Sequence, residues 1–405
     1  MDRTLERQWL DALSDVLTRS HLFQPDELAP EFAEVMAGLG VHTTIYLADE
    51  EQQTLRPVPH PGRTDPEPQP VEGSLAGRAF TLVESIPALN EPAWWIPMID
   101  GTDRLGVIDF VFDDPDDAVD PHTRRRCETM AGLIGHLITV TAPKGDHLLR
   151  VSRSRTSTAA AELMAPVLPP LTAATRRITV SAVLEPSYDI GGDGFDYAID
   201  GNHAQLAIFD AVGHSMKAGL TCSAVIAAIR AARRAGHDLP AQADAADAAV
   251  LDQFTDARFV TAVLVDIDLD SGLLRYVNAG HPRPMLLRGG KMVRELRDGR
   301  RLPLGIRRTV RAVGEEHLEP GDQLLMFTDG VVEARGSDDG GEFGLSRLAD
   351  LAERQAGTGL PAPEAVRRLA RAVADFRGGP PSDDATLLLA DWSPAAAERT
   401  VITPL

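Results

Sequence analysis

Two stretches decide the fold: Ala207-Ile208-Phe209-Asp210-Ala211-Val212-Gly213-His214 and Leu325-Met326-Phe327-Thr328-Asp329-Gly330 each run an apolar strand into an aspartate beside glycine. An aspartate at the end of a buried strand sits on rigid scaffold, with its carboxylate at the sheet rim. Two more segments repeat the theme. Asp189-Ile190-Gly191-Gly192-Asp193 sets aspartate against glycine, and Ser382-Asp383-Asp384-Ala385-Thr386 opens the apolar run 385–390. Converging carboxylates repel one another unless cations lie between them. All-oxygen sites of this kind suit Mg2+ or Mn2+. Glycines 191, 192, 213 and 330 permit close backbone approach, so a main-chain carbonyl can join the ligands. Singly, Asp-Gly is a turn signal and Ser-Asp-Asp a helix cap; four such segments in one order point to a site.

Outward from these segments, the 405 residues suffice for two domains. Residues 1–19 carry Leu5, Trp9, Leu13, Val16 and Leu17 at helical spacing. A strand is expected over 41–47, a loop over 57–69, a helix over 71–82, and strands over 94–99 and 105–112. Asp120-Pro121 is a helix start, followed by the stripe Cys127, Met130, Ile134, Leu137 and Ile138. The Arg/Ser/Thr-rich 144–158 suits a solvated helical linker, and Pro169-Pro170 must end the apolar stretch 159–168. Beyond it, strands are expected over 178–184, 203–209, 263–269, 273–277, 324–327 and 385–390. Helices are expected over 215–236, 240–254, 345–355 and 362–376. Strands and helices come in blocks without βαβ alternation, so the fold class is α+β with antiparallel sheets.

Composition excludes several functions. The net charge is -20, which disfavours nucleic acid and anionic membranes as partners and repels a phosphorylated substrate unless bound cations reverse the local field. The two cysteines, Cys127 and Cys222, provide no disulfide framework. Neither begins a Cys-x5-Arg thiol-phosphatase pattern, because Leu133 and Ala228 stand at the arginine position. Asp266-x-Asp268-x-Asp270 fails as a calcium loop at Ser271 and Val277, Gly289-Gly290-Lys291 lacks the Walker glycine, and Gly192-x-Gly194 reaches Tyr197 where a dinucleotide site needs glycine. The charged N-terminus is no signal peptide, and no apolar run reaches membrane-span length, so a cytoplasmic protein is expected.

The segments Glu162-Leu-Met-Ala-Pro-Val-Leu-Pro-Pro170, Ile190-Gly-Gly-Asp-Gly-Phe-Asp196, Phe209-Asp-Ala-Val-Gly-His214, Tyr276-Val-Asn-Ala-Gly-His-Pro282, Phe327-Thr-Asp-Gly-Val-Val-Glu-Ala-Arg335 and Asp383-Asp-Ala-Thr386 resemble the PPM-type (type 2C) phosphatases, in the bacterial branch of SpoIIE and RsbU. The resemblance spans residues 159–392. It implies an α-β-β-α sandwich of two antiparallel sheets with a metal centre at one edge. By motif position, Asp210 would bridge two Mn2+ or Mg2+ ions, with the Ala211 carbonyl on one of them. Asp329 and Asp383 would bind the other ion, and Asp193 a coordinated water or an additional ion. Gly213-His214-Ser215 departs from the usual Gly-His-Gly, and Asp196 and Asp384 are the nearest alternative carboxylates. Upstream, Val71-Glu-Gly-Ser-Leu-Ala-Gly-Arg-Ala-Phe80 and residues 96–110 resemble the second half of a GAF domain. That implies a six-stranded antiparallel sheet with flanking helices, a small-molecule pocket and dimerisation through terminal helices.

The expected organisation is therefore a GAF-like sensory and dimerisation domain over 1–142, a helical linker over 143–170, a phosphatase domain over 171–393 and a tail over 394–405. The expected activity is hydrolysis of phosphoserine or phosphothreonine on a regulatory protein, in this branch a STAS-type anti-anti-sigma factor, by a water activated between two metals. The chain is then a homodimer controlled by its GAF-like domain; the helices after Asp210 read by default as plain packing, while in the resembling branch this region acts as a movable switch. His214 and His281 are candidates for proton transfer by motif proximity, though the structural hydrogen-bonding role is the default for each. Two other classes compete: a degenerate phosphatase fold that only docks a regulator, and a ligand sensor with secondary enzyme output.

Overall fold

The computed structural model describes residues 3–185, 191–213, 216–254, 258–306, 311–336, 341–379, 383–393 and 396–402. The chain divides into two compact units, Met1–Arg155 together with Glu398–Leu405, and Thr156–Ala397. Among the described residues no helix is long and apolar enough to cross a membrane.

The first unit runs α1 (Arg3–Ser20), α2 (Leu28–Ala37), β1 (Val41–Ala48), β2 (Thr54–Pro57), β3 (Gln69–Pro70), α3 (Leu75–Leu82), β4 (Ile86–Pro87), β5 (Ala93–Asp100), β6 (Asp103–Phe112), α4 (Pro115–Val119), α5 (Pro121–Thr141) and α6 (His147–Ser152). Its strands form one six-stranded antiparallel sheet in the order β3-β2-β1-β6-β5-β4. Period-two alternation sends Ile45, Ile108 and Phe110 into a core under α1, α2 and α5, and Tyr46 and Val107 into a smaller core under α3. Asp120 caps α5 through the amides of His122 and Thr123, with Pro121 at the first turn as its sequence requires. The helix α2 escapes a periodicity reading because Leu28, Ala29, Phe32, Ala33 and Met36 fill only three short turns.

The second unit runs α7 (Ala159–Met164), β7 (Thr172–Ala174), β8 (Ile178–Glu185), β9 (Asp193–Asp200), β10 (His203–Ala211), α8 (Met216–Arg234), α9 (Leu239–Gln253), β11 (Val260–Asp268), β12 (Leu273–Ala279), β13 (Met285–Arg288), β14 (Lys291–Glu295), β15 (Arg300–Arg301), β16 (Gly314–His317), β17 (Asp322–Phe327), α10 (Asp329–Val332), α11 (Leu345–Ala356), α12 (Ala362–Arg377) and β18 (Ala385–Trp392). One sheet is ordered β15-β12-β11-β10-β9, with β16 also on β12, and the other β14-β13-β17-β18-β8-β7. Val263, Val265 and Ile267 of β11 meet Val180, Met326 and Leu388 of the facing sheet in a central core. Val260, Ala262 and Leu264 turn the opposite way, under α8 and α9. Leu325, Phe327, Leu387 and Leu389 are covered by α11 and α12. The layers are helix, sheet, sheet, helix, as the resemblance implies.

Three local outcomes differ from the sequence reading. Asp193 opens a strand, β9, where none is expected, because ladder pairing with all of 203–210 overrides the weak strand preference of its aspartates and glycine. Residues 143–170 do not form one helical linker. Helix is confined there to a short 3-10 turn, α6 and α7; Leu148 and Val151 are buried in the first unit's core and Met164 in the second's. The tail is not free: Ile402 packs against the first unit's core, and Thr400 is buried.

Candidate metal centre

The expected carboxylates gather at one edge of the second unit, and the strand registers explain how. Asp193 of β9 lies directly opposite Asp210 of β10, and Asp210 lies opposite Thr261 of β11. Directly opposed residues project from the same face, so this edge presents Asp193, Asp210 and Thr261 in a row. In the facing sheet, antiparallel β17 and β18 bring Thr328 and Asp329 beside Asp383, Asp384 and Thr386. Thr328 and Thr386 interlock: the Thr328 amide donates to the Thr386 carbonyl at 3.0 Å, and the Thr386 amide to Thr328 Oγ1 at 2.9 Å.

Asp193 joins the two rows. It is 2% exposed, and its Oδ2 accepts hydrogen bonds from Thr328 Oγ1 and Thr386 Oγ1, each at 2.7 Å. Burial holds its carboxyl well above the ordinary range, with Asp210 and Asp384 adding repulsion and the two hydroxyls opposing it. The two threonines are partners of Asp193 to which the sequence reading gave no role. Their signal was available: one precedes Asp329 and the other follows Asp383 by three, each a β-branched hydroxyl at a strand end.

Asp384 has a different task from its neighbour. Its Oδ2 accepts the amides of Gly191 and Gly192 at 2.8 and 2.9 Å, and the Asp193 amide at 3.5 Å, fixing the loop that enters β9. A Cβ on Gly192 would stand 2.4 Å from the Ala211 carbonyl oxygen, so glycine there lets that loop lie against the end of β10. Gly330 is equally constrained, because a Cβ would stand 1.9 Å from the Asp384 carbonyl oxygen. The other alternative ligand, Asp196, is buried on β9, where Arg230 and Arg233 of α8 bind its two oxygens at 2.7 and 2.8 Å. Both carboxylates thus have partners that Asp210 lacks among the described residues.

Asp210 remains open, and among the described residues Asp329 meets only backbone amides. Among the described residues no group donates a hydrogen bond to the Asp210 carboxylate. Burial pushes it up to about 7, reinforced by Asp329, Asp383, Asp384 and Glu333. Asp329, at the start of α10, is raised by burial and by Asp383, against the opposing amides of Gly330 and its own residue. Asp383 is exposed, and its Oδ1 accepts the Asp384 amide at 3.0 Å. These open, mutually repelling oxygens fit a divalent cation by their chemistry. Among the described residues no three such side chains are already closed into a metal cage. His214 and Ser382, named in the sequence motifs, lie outside the described residues.

His281 lies in the interior of the second unit. It is 3% exposed, burial pushes it down to about 3, and Nδ1 lies 2.7 Å from Thr261 Oγ1. A buried, neutral ring makes a poor acid for a leaving oxygen.

With the geometry in place, comparison with known proteins is informative. Residues 200–393 match the family model described as Stage II sporulation protein E (SpoIIE). Over these residues the chain is similar to the SpoIIE family. The phosphoserine phosphatase RsbU of Bacillus subtilis (strain 168) is 27% identical over 161 residues, covering 39% of this chain and 48% of that protein. The chain thus spans about half the length of that curated relative. Among solved structures, the SiaA-PP2C domain of Pseudomonas aeruginosa is 24% identical, with a TM-score of 0.50 over 58% of this chain and 94% of that one. That likeness establishes the PP2C fold for the second unit. The RsbU and RsbW domains of a Mycobacterium tuberculosis protein are 28% identical, covering 54% of this chain and 62% of that one, with a TM-score of 0.46.

Proposed function

We propose that residues 171–393 are a metal-dependent protein serine/threonine phosphatase, and that Asp210, Asp329, Asp383 and Asp193 carry its chemistry. The observation behind this reading is the open Asp210 carboxylate, raised to about 7 by its neighbours at an edge shared by two sheets. The phosphoserine phosphatase RsbU, similar over 39% of the chain, supports the same reaction class. Asp210 would bridge two Mn2+ or Mg2+ ions, the Ala211 carbonyl would join one, Asp329 and Asp383 would hold the other, and Asp193 would orient a coordinated water. The ions would supply an activated water for in-line attack and neutralise the phosphoryl oxygens. The chain's own contribution is placement. Thr328 and Thr386 fix Asp193, Asp384 fixes the loop before it, and strand pairing fixes Asp210. Release of phosphate from an aryl phosphate with Mn2+, lost in Asp210→Asn, is the expected result. Activity without metal, or activity surviving that substitution, rejects the mechanism.

The physiological substrate in this reading is a phosphorylated STAS-type anti-anti-sigma protein, dephosphorylated in the cytoplasm. Residues 1–142 act as a GAF-like sensory and dimerisation domain with a small-molecule ligand. In support of a homodimer, a groove of about 400 Å³ lies between the ends of α1 and α5, where Leu17 and Val140 stay 46% and 51% exposed. Light scattering on Leu17→Glu, compared with the unmodified chain, tests the dimer. Deletion of residues 1–142 with regulation unchanged would remove the sensory assignment.

A further inference from the structure

We propose that His281 is a positioning residue for Asp210 and Asp329, holding the two strand ends that carry them at a fixed separation. The proposal rests on reading those two carboxylates as metal ligands. His281 follows β12 in a turn locked by one side chain: Asn278 Oδ1 accepts the His281 amide at 2.9 Å, while Asn278 Nδ2 donates to the carbonyls of His281 and Pro282 at 3.1 and 3.4 Å. The turn also needs Gly280, whose φ is +73° and where a Cβ would stand 2.6 Å from Pro303 Cγ. The imidazole therefore enters the interior in one orientation.

Each side of the ring meets a different sheet. Nδ1 lies 2.7 Å from Oγ1 of Thr261, the residue directly opposite Asp210 in the β10–β11 ladder. Nε2 is buried without a hydrogen-bond partner, and the main chain of Phe327 lies close enough to the ring to act on its titration. Phe327 precedes Thr328, a donor to Asp193, and stands two residues before Asp329. One rigid, neutral ring thus spans the sheet of Asp193 and Asp210 and the sheet of Thr328 and Asp329. A neutral imidazole has one donor and one acceptor. In the tautomer that carries its proton on Nε2, Nδ1 accepts the Thr261 hydroxyl, which is then not spent on Asp210. The Asp210 lone pairs stay open to a cation, and the ring adds no charge to a site that must bind one. Groups behind metal ligands typically change affinity by about 10- to 100-fold when removed.

The test is Mn2+ binding to the full chain by isothermal calorimetry, alongside aryl phosphate hydrolysis and the thermal midpoint of the metal-free protein. His281→Ala and Thr261→Val should each weaken Mn2+ about tenfold, and the double variant should be no worse than the weaker single one. His281→Asn, whose amide can occupy the Nδ1 position but falls short of Phe327, should restore the Thr261 contact and only part of the loss; full recovery would leave the contact with Phe327 without a role. Should His281→Ala fail to fold, the near-isosteric Thr261→Val decides: wild-type Mn2+ affinity with an unchanged thermal midpoint overturns the proposal. Intact Mn2+ binding without phosphate release from the unmodified chain defeats the phosphatase reading alone. Absence of Mn2+ binding defeats both.

Discussion

Asp210 and Asp109 are both carboxyls held near 7, and the two pH predictions carry the same sign. For Asp210, burial and neighbouring acids raise the native value to about 7, against about 4 in an unfolded chain. Between pH 4 and 7 the metal-free native state holds a proton that the unfolded state has released, so stability declines as pH rises through that window. A cation must displace the same proton. Calorimetric titration in buffers of different ionisation enthalpy should show roughly one proton released per Mn2+ bound at pH 6 and almost none at pH 8.5. Proton-independent binding at pH 6 would contradict the raised carboxyl. Asp109, on β6 of the first unit, is pushed up to about 7 by burial and by Glu91, and its Oδ1 is buried without a hydrogen-bond partner. Asp109→Asn should therefore resist urea better than the unmodified chain at pH 8, with the advantage disappearing by pH 4. Equal stability at pH 8 would show that Asp109 is solvated.

At the scale of elements, short contacts dictate where chain segments can lie. The four-residue helix α10 approaches β18 so closely that only glycine fits at position 330, where a Cβ would stand 1.9 Å from a carbonyl oxygen. Gly330→Ala should push α10, and Asp329 with it, away from Asp383. Hydrolysis is expected to fall at least about 100-fold, on the scale of a displacement near 1 Å at a reacting centre. Near-normal hydrolysis would mean that Asp329 is not held through this contact. The helix α8 is anchored to β9 in another way, by Arg230 and Arg233 on the 1%-exposed Asp196, with Arg230 also donating to the Val167 carbonyl at 2.8 Å. Removing one partner of a buried ion pair leaves the other charge uncompensated and costs about 3 kcal/mol or more. Asp196→Ala should show that loss in urea denaturation. A change under about 1 kcal/mol would place these arginines in solvent when the acid is gone.

At the scale of the whole molecule, the tail is the least expected feature. Residues 398–402 belong to the first unit: Thr400 is buried at 1% and Ile402 contacts the core of Trp9, Phe32 and Phe110. Removing residues 394–405 should destabilise that unit by on the order of 1–2 kcal/mol, the apolar contact of about one partly buried side chain. Tryptophan fluorescence can follow this during denaturation, since Trp9, Trp94 and Trp95 lie in the first unit. Mn2+-dependent hydrolysis should stay within about twofold. Unchanged stability would reassign the tail as a surface appendage.

The sequence by itself determined the layer architecture of the second unit and the set of candidate carboxylates at its strand ends. Both follow from local patterns: period-two burial along Val263, Val265 and Ile267, and strands that end on Asp210 and Asp329. Tertiary structure alone decided which acids stay open. Asp196, Asp384 and Asp210 all look alike in sequence, as aspartates near glycine or alanine. The fold gives the first two arginines and three amides and leaves the third without a donor among the described residues. The interlock of Thr328 and Thr386 on Asp193, the buried bridge at His281, and the burial of the tail likewise depend on contacts between distant segments. The strength of a carboxylate as a ligand depends on its desolvation and on what donates to it, and both are properties of the packed interior.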